Sequence, residues 1–342
     1  MPPNTMRAVV LKGDYKVEVE DRPYPKLFHS TDTILKVTST ALCGSDLHFY
    51  RGYLKAPPGF ICGYEFVGDI VEKGDNMKNF NVGDKVVVPF YIACGDCYYY
   101  IRREASRCTK GELFGNSVPD NIIDGGQAKY IRCPLADITF VYALKDIPEE
   151  ILVLIADIFP TGYFAVSRFL KDLEIRDRKN FTVACVGCGP VSIYAITCAL
   201  TMVNKVYAID TIPERLEQAA KIGAIPINLN DDPVQKIKDA TDRRGADVVL
   251  EVVSHADGKI SSVGLYGKNM TIEFRRCPVR SIFEDALAIL IQEQKKLVFL
   301  CEKIIGLEEA PKAYKEFKSR KWHKIIFKID STTTGKIIEA LI

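Results

Sequence analysis

One local pattern constrains the fold of this chain more than any other: an apolar stretch that runs into a glycine-rich turn. Phe181–Val186 is typical of a buried parallel strand, and the sequence Gly187-Cys188-Gly189-Pro190-Val191-Ser192 follows it directly. The first glycine permits a tight turn, and the second lets the backbone approach a pyrophosphate at the start of the next helix. The pattern therefore predicts a strand, a phosphate-binding turn and a helix.

The segments after this turn continue the same alternation. They are the predicted helices Val191–Val203, Pro213–Ile222 and Pro233–Thr241, the predicted strands Val206–Ile209, Ile225–Ile227 and Ala246–Val253, two later amphipathic helices, Ser281–Gln294 and Leu307–Lys318, and a final strand, Lys324–Ile329. Such βαβ series form parallel sheets covered by helices. Residues 6–150, by contrast, consist of short β-rich runs between turn residues. We therefore predict an α/β protein with a β-rich domain and a doubly wound nucleotide-binding domain.

An acidic residue stands where a dinucleotide site needs one. Asp210 ends the second strand of the series, where its carboxylate would hold the hydroxyls of the adenosine ribose. A carboxylate there repels a 2′-phosphate, which favours NAD over NADP. Ser192 occupies the position that usually takes Gly or Ala, a mild defect. The predicted cofactor-binding residues are Gly187, Gly189, Pro190, Val191, Asp210, Arg215 and Val263.

Length, net charge and cysteine count exclude several classes of protein. The 342 residues are enough for two domains, and the net charge of +2 gives no electrostatic basis for binding nucleic acid or an anionic membrane. We find no apolar run of membrane-spanning length and no N-terminal stretch that predicts a signal peptide. The 11 cysteines are an odd number, and several lie in apolar stretches, which favours reduced thiols. We therefore expect a cytoplasmic protein and ask whether its spaced cysteines bind a metal.

Further motifs resemble those of the zinc-dependent medium-chain dehydrogenases. They are Cys43-Gly44-Ser45-Asp46-Leu47-His48, Gly63-Tyr64-Glu65, Gly83-Asp84-Lys85-Val86, Cys94-x-x-Cys97, Asp157 with Thr161-Gly162-Tyr163, and the Gly187 turn. The resemblance covers nearly the whole chain and is closest to the alcohol and formaldehyde dehydrogenase branch, in which an Asp precedes Thr-Gly-Tyr. It implies a GroES-like catalytic domain over residues 1–158 and 286–342, and a Rossmann-type domain over residues 159–285.

The resemblance also implies roles for individual residues. Cys43 and Asp157 would be ligands of a catalytic zinc ion that polarises the substrate oxygen. Ser45 and His48 would form a proton relay from that oxygen to solvent. Thr161 would contact the nicotinamide or its ribose. The implied substrate is a small or apolar alcohol or its aldehyde or ketone, and the implied assembly is a homodimer or homotetramer.

The chain departs from the family pattern at the catalytic zinc site. The family motif is Gly-His-Glu, whereas this chain has Gly63-Tyr64-Glu65. A phenol must ionise to bind zinc well, and its ordinary pKa is about 10. The resemblance places the Asp46 carboxylate beside this position, where it would disfavour a phenolate. Glu65 could serve as a substitute ligand, so two interpretations stay open: a weakened zinc site, or a cavity that Tyr64 fills beside a buried Cys43 thiol.

A second metal site is also altered. The family carries four structural cysteines where this chain has Cys94, Cys97, Tyr100 and Cys108. Closed structural zinc sites take four N or S ligands, so three thiols and a phenol are a poor set. The segment either holds zinc weakly or is an aromatic-packed loop with free thiols.

The nucleotide-binding domain is expected to be shortened after its fourth strand. That strand ends near Val253, and the next strand candidate, Lys259–Gly264, begins five residues later. A parallel crossover needs at least ~10–12 residues, usually including a helix. Relatives carry a helix between these strands, and the segment around Val263 normally borders the nicotinamide site.

Three hypotheses about function follow. The chain is an NAD-linked alcohol dehydrogenase with impaired zinc binding. Alternatively, it is a redox-independent cyclase, lyase or isomerase in which Tyr64, Ser45, His48 and Asp157 supply acid and base groups. In the third hypothesis it is a pseudoenzyme, because three functional elements are altered together.

Overall fold

The computed structural model describes residues 2–118, 121–171, 174, 177, 179–252, 273–301, 303–319 and 322–329. The chain divides into two units, which are Met1–Pro160 with Pro278–Ile342, and Thr161–Cys277. The sequence-based boundary between residues 285 and 286 falls inside helix Val279–Leu297. A helix is one cooperative element, so the structural boundary lies before it.

The elements of both units are named in chain order. The strands are β1 Thr5–Gly13, β2 Lys16–Pro23, β3 Thr33–Leu42, β4 Glu65–Lys73, β5 Lys85–Val88, β6 Asn116–Val118, β7 Asn121–Ile123, β8 Tyr130–Cys133, β9 Val141–Tyr142, β10 Thr182–Val186, β11 Lys205–Asp210, β12 Ile225–Asn228, β13 Val248–Glu251, β14 Lys303–Gly306 and β15 Ile325–Lys328. The helices are α1 Asp46–Tyr50, α2 Tyr98–Ile101, α3 Ala136–Thr139, α4 Glu149–Leu152, α5 Ile158–Leu170, α6 Pro190–Met202, α7 Pro213–Lys221, α8 Pro233–Asp239, α9 Val279–Leu297 and α10 Ala310–Lys318. Short 3-10 turns cover Ala105–Arg107, Val153–Ala156, Val298–Cys301 and Leu307–Glu309.

The first unit is built on a mostly antiparallel sheet. Its strand order is β14-β15-β3-β4-β5-β9, and β8 also pairs with β3. The central strand β3 is rich in β-branched residues, which suit a half-buried pleated surface. At its end, β3 places Leu42 opposite Ile325 of β15 and Ala41 opposite Glu65 of β4. The starts of β4 and β15 therefore flank the residue that follows β3, which is Cys43.

The second unit is a parallel sheet with the strand order β12-β11-β10-β13. β10 pairs with both β11 and β13, so its carboxyl end lies at the middle of the described sheet. Helix α6 begins at the Gly187 turn and is mostly buried along its length. The predicted GroES-like and Rossmann-type α/β fold is confirmed. The predicted shortening after the fourth strand lies in residues 253–272, outside the described residues.

Several element boundaries differ from the predictions. The predicted strand Ala246–Val253 is described only as Val248–Glu251, and the predicted helix Leu307–Lys318 begins with the 3-10 turn Leu307–Glu309. Within the described ranges, no single helix is long and apolar enough to cross a membrane, although the bent pair Glu149–Ala156 and Ile158–Leu170 meets that test by length and composition.

Candidate functional site

The glycine-rich turn has the geometry that a phosphate-binding turn requires. Gly187 has φ +88°, a left-handed conformation that favours glycine, and its N–H donates to the carbonyl of Ile209 at 2.7 Å. Gly189 is the N-cap of α6, no side chain caps the helix, and Pro190 occupies the first turn. A Cβ added to Gly189 would meet no atom within 4 Å. The turn therefore offers open space beside the uncapped, electropositive helix start.

Asp210 is held rigidly beside this turn. Its Oδ2 accepts from the N–H of Cys188 at 2.7 Å, and its Oδ1 accepts from Thr211 and Ile212 at 2.7 and 3.0 Å. Arg215 Nη1 lies 3.8 Å from Oδ2. These bonds fix a carboxylate at the end of β11, where the ribose of a dinucleotide would lie. The residues present therefore fit a dinucleotide cofactor.

The remaining cofactor predictions have different outcomes. Ser192 is almost fully buried, so its hydroxyl is accommodated within the packing of α6. Thr161 lies within α5, and its contact with a nicotinamide stays a prediction. Val263 lies outside the described residues, so its role also stays a prediction.

The predicted catalytic zinc residues are brought together in the first unit. One ligand atom each of Cys43, Glu65 and Asp157 lies within 4.8 Å of the others, and these three residues are called the Cys43 cluster below. The Cys43 thiol points at Asp157, with Sγ 3.9 Å from Oδ2. Burial raises the pKa of the Cys43 thiol well above its ordinary value, and the neighbouring carboxylates add to that rise. The environment therefore favours the neutral thiol.

A buried lysine that the sequence analysis missed occupies this cluster. Lys324 Nζ lies 2.7 Å from Oε1 and 2.5 Å from Oε2 of Glu65, and the two side chains are 1% and 0% exposed. Burial lowers the pKa of Lys324, but attraction by Glu65 outweighs it, so the pKa rises above its ordinary value. The sequence feature that could have indicated this residue is the position of a lysine directly before the apolar strand Ile325–Lys328.

Tyr64 brings a neutral phenol to the same cluster. Its hydroxyl oxygen is buried and has no hydrogen-bond partner among the described residues. Burial raises the pKa of Tyr64 well above its ordinary value, and the negative charge of Asp157 and Glu65 adds to this. A phenolate ligand is therefore disfavoured. Asp46 lies beside Cys43, whose N–H donates to Asp46 Oδ2 at 2.9 Å, and the charge of Asp46 also contributes to the raised pKa of Tyr64.

These observations decide how well the cluster fits a catalytic zinc ion. Open catalytic zinc sites take three protein ligands. Cys43 and Asp157 supply two, Tyr64 is neutral, and Glu65 is engaged by an ammonium group that would be left buried and unpaired if Glu65 moved. The residues as arranged therefore do not fit an open three-ligand zinc site.

The predicted proton relay lies at the start of helix α1. Ser45 is the N-cap residue and is exposed, whereas His48 is half-buried. The His48 N–H donates to the carbonyl of Ser45 at 3.0 Å, so the two residues share one helical turn. Their role in proton transfer stays a prediction.

Three of the predicted structural zinc ligands also come together. The segment of residues 94–108, called the cysteine lobe below, holds the sulfur atoms of Cys94, Cys97 and Cys108 within 4.8 Å of one another. Backbone N–H groups of Tyr100 and Thr109 lower the pKa of Cys97 to about 6. The group that the described residues form here has three members, one fewer than a closed structural zinc site uses. The lobe therefore does not fit such a site either.

Comparison with known families agrees with this architecture. Residues 29–143 match the alcohol dehydrogenase GroES-like domain, and residues 190–282 match the zinc-binding dehydrogenase domain. The chain is 43% identical to zinc-type alcohol dehydrogenase B of Aspergillus flavus over 95% of this chain and 82% of that protein. The chain belongs to the zinc-type medium-chain alcohol dehydrogenase family.

Other members of this family are also similar. The medium chain reductase/dehydrogenase ucsI of Acremonium sp is 40% identical over 79% of this chain and 97% of its own length. Among solved structures, the alcohol dehydrogenase TADH from Thermus sp. ATN1 superposes with a TM-score of 0.85 at 30% identity, covering 95% of this chain and all of that chain. This family member thus combines the family fold with an altered Cys43 cluster and an altered cysteine lobe.

Proposed function

We propose that this family member is an NAD(H)-linked oxidoreductase that interconverts a small or apolar alcohol and its aldehyde or ketone, with impaired zinc binding. The observation that carries the proposal is the Gly187 turn with its open Gly189 and its fixed Asp210 carboxylate. Family membership supports the oxidoreductase class. When bound, the nicotinamide would accept or supply the hydride.

The residues of the turn favour NAD over its phosphorylated form. The start of α6 would bind the pyrophosphate through backbone N–H groups. Three backbone donors orient the Asp210 carboxylate, which would accept from ribose hydroxyls and repel a 2′-phosphate. Arg215, 3.8 Å away, offsets only part of that repulsion because it also pairs with Asp210 itself.

In the first unit, the chain supplies groups that handle protons. The Tyr64 hydroxyl is a hydrogen-bond donor without a partner among the described residues, and burial, which raises the pKa of the Cys43 thiol, favours its protonated form. Ser45 and His48 stand at the more exposed start of α1, where an imidazole could exchange a proton with solvent. These residues would hold and move the proton that accompanies hydride transfer.

A titration and a turnover assay test this proposal. NADH and NADPH are titrated by fluorescence into the wild-type chain and into Asp210→Asn, which keeps one acceptor oxygen but loses the charge. We expect NADH to bind at least ~10-fold more tightly than NADPH, and the variant to lose most of that preference. NADH oxidation is then followed with formaldehyde and with larger apolar aldehydes. Tight NADH binding without turnover of any aldehyde or alcohol would contradict the proposed oxidoreductase activity.

A redox-independent reaction is the second candidate. The buried Tyr64 hydroxyl among carboxylates favours it, because such a cluster can donate and accept protons without hydride transfer. One variant distinguishes the two candidate functions. Asp210→Asn should depress an NAD-linked activity and leave a redox-independent activity unchanged.

A further inference from the structure

The cysteine lobe holds two sulfur atoms almost in bonding position. Cys108 Sγ lies 3.3 Å from Cys94 Sγ, and the N–H of Cys94 donates to Cys108 Sγ at 3.2 Å. A disulfide needs about 2.05 Å between the sulfurs, so they must approach by only ~1.2 Å. Cys97 completes the group within 4.8 Å but lies at the start of helix α2, where its sulfur accepts from the N–H of Tyr100. The sulfur atoms of Cys94 and Cys108 are therefore already in contact.

The lobe is held in place by contacts that need no metal. The Arg102 guanidinium lies over the Tyr98 ring at 3.6 Å from its centroid. Arg103 donates to the carbonyl of Ser281 at 2.7 Å, and the Ala105 N–H donates to the Ser281 hydroxyl at 3.2 Å. Ser281 lies on α9 of the same unit. These contacts hold the segment between Cys94 and Cys108, so the two sulfurs stay close without a fourth ligand.

Access to an oxidant differs among the three thiols. Cys94 and Cys97 are half-buried, whereas Cys108 is buried. A small oxidant can therefore reach Cys94 and Cys97 directly, whereas Cys108 is shielded. Thiols in such an arrangement are typical of redox-sensitive sites, and disulfides of proteins in a reducing compartment are usually transient.

We propose that the cysteine lobe is a reversible oxidation site in which a peroxide joins Cys94 to Cys108. In the first step the sulfur of one thiol of the pair attacks one oxygen of the peroxide, the O–O bond breaks, and a sulfenic acid and one water form. In the second step the sulfur of the other thiol attacks the sulfenic sulfur, the S–O bond breaks, and a second water leaves. Two thiols are oxidised and one peroxide is reduced, and a small dithiol reverses the change by exchange.

The chain offers a direct way to detect this bond. Arg102, Arg103 and Arg107 are exposed and lie between the two cysteines, so trypsin cleavage there leaves two fragments that only the disulfide joins. The full chain is treated with hydrogen peroxide, remaining thiols are blocked, and limited trypsin digestion is analysed on denaturing gels with and without reductant. Mass spectrometry identifies the linked peptides.

The expected results involve all three cysteines. Peroxide should remove two of the 11 thiols, and fragments cut after Arg102 or Arg103 should separate only on the reducing gel. Cys97→Ser should still give the linked fragment, whereas Cys94→Ser and Cys108→Ser should abolish it. Far-ultraviolet circular dichroism checks that each variant is folded. A bond between Cys94 and Cys97, a linked fragment that survives Cys108→Ser, or no linked fragment in the wild type would overturn the proposal.

Discussion

The Cys43 cluster and the cysteine lobe differ from the family pattern in the same way, but the chain compensates for the change differently. Each has a tyrosine where the family has a ligand, Tyr64 in the cluster and Tyr100 in the lobe. In the cluster, Glu65 is buried and Asp157 is half-buried, and the buried ammonium of Lys324 pairs with Glu65. In the lobe, Cys94 and Cys97 are half-buried, and arginine–aromatic contacts at the surface support the segment. A lost ligand must therefore be compensated electrostatically only where water cannot reach the remaining charges.

Restoring the lost ligand should affect the cluster most. We expect Tyr64→His to raise bound zinc from below about 0.2 to nearly one ion per chain, because an imidazole beside Cys43 and Asp157 completes a three-ligand site. Metal analysis of the purified protein measures this. Tyr64→Phe removes the hydroxyl without adding a ligand and should leave zinc content unchanged. Equal zinc in the wild type and in Tyr64→His would refute the lost-ligand argument.

Removing the internal cation should be the largest change in stability. Lys324→Met leaves Glu65 buried without a counter-charge, so we expect the free energy of unfolding to fall by ~3–5 kcal/mol. Urea unfolding at neutral pH measures it. The double variant Glu65→Gln with Lys324→Met removes both charges and should recover most of the loss. If Lys324→Met alone lowers the free energy of unfolding by less than ~1 kcal/mol, the Glu65–Lys324 pair behaves like a surface salt bridge.

Glu149 belongs to an ionic group outside the Cys43 cluster and the cysteine lobe. Because this group is less buried than the Glu65–Lys324 pair, its loss should have a smaller effect on stability. Burial raises the pKa of Glu149, but hydrogen bonds from Lys85 and Lys328 outweigh this and lower the pKa from 4.5 to about 2. A carboxyl group with a depressed pKa stabilises the fold above pH 4.5, and that contribution is lost as the pH falls toward 2. We expect Glu149→Gln to cost ~1–2 kcal/mol at neutral pH, after allowance for partial exposure of Lys85.

The pH dependence distinguishes this contribution from a simple packing loss. The stability difference between the wild type and Glu149→Gln should shrink when urea unfolding is repeated at a pH between 4.5 and 2. Ser39→Ala is the control: it removes a neutral hydrogen bond to the same carboxylate but keeps the charge of Glu149. A difference that stays constant with pH would show that the charge of Glu149 contributes little.

The smallest effect is expected in the lobe. Arg102→Ala removes the cation–π contact with Tyr98 and should cost only ~0.5–1 kcal/mol, because both side chains are exposed. Amide hydrogen exchange of residues 94–108 is the suitable measurement, since the loss should appear as faster local opening. Arg102→Lys keeps the charge and should retain part of the protection. If Arg102→Ala lowered the free energy of unfolding as much as Lys324→Met does, the proposed difference between the cysteine lobe and the Cys43 cluster would be wrong.

The sequence predicted those features that depend on local pattern. The strand, turn and helix around Gly187 are adjacent in the chain, so spacing and glycine chemistry were sufficient to predict them. The convergence of Cys43, Glu65 and Asp157 was predicted only through the family resemblance. Element ends were less accurate, as at Leu307–Glu309, because tertiary packing decides where a 3-10 turn becomes an α-helix.

The buried ion pair could not be predicted in this way. Lys324 and Glu65 are 259 positions apart, and only the pairing of β3 with both β4 and β15 places them together. Lysine is almost never fully buried without a partner, so a lysine in front of an apolar strand is normally read as a surface residue. The same pairing shows that Glu65, a substitute zinc ligand in the sequence analysis, is already engaged by Lys324.

The most direct test of the account is NADH binding to chelator-treated wild-type protein, measured by fluorescence titration. The Gly187 turn and Asp210 are expected to bind the dinucleotide by themselves, whereas Glu65 of the Cys43 cluster is engaged by Lys324. We therefore expect saturable binding of one NADH per chain with the same affinity before and after metal removal. No saturable binding, or binding that is lost with the metal, would contradict it.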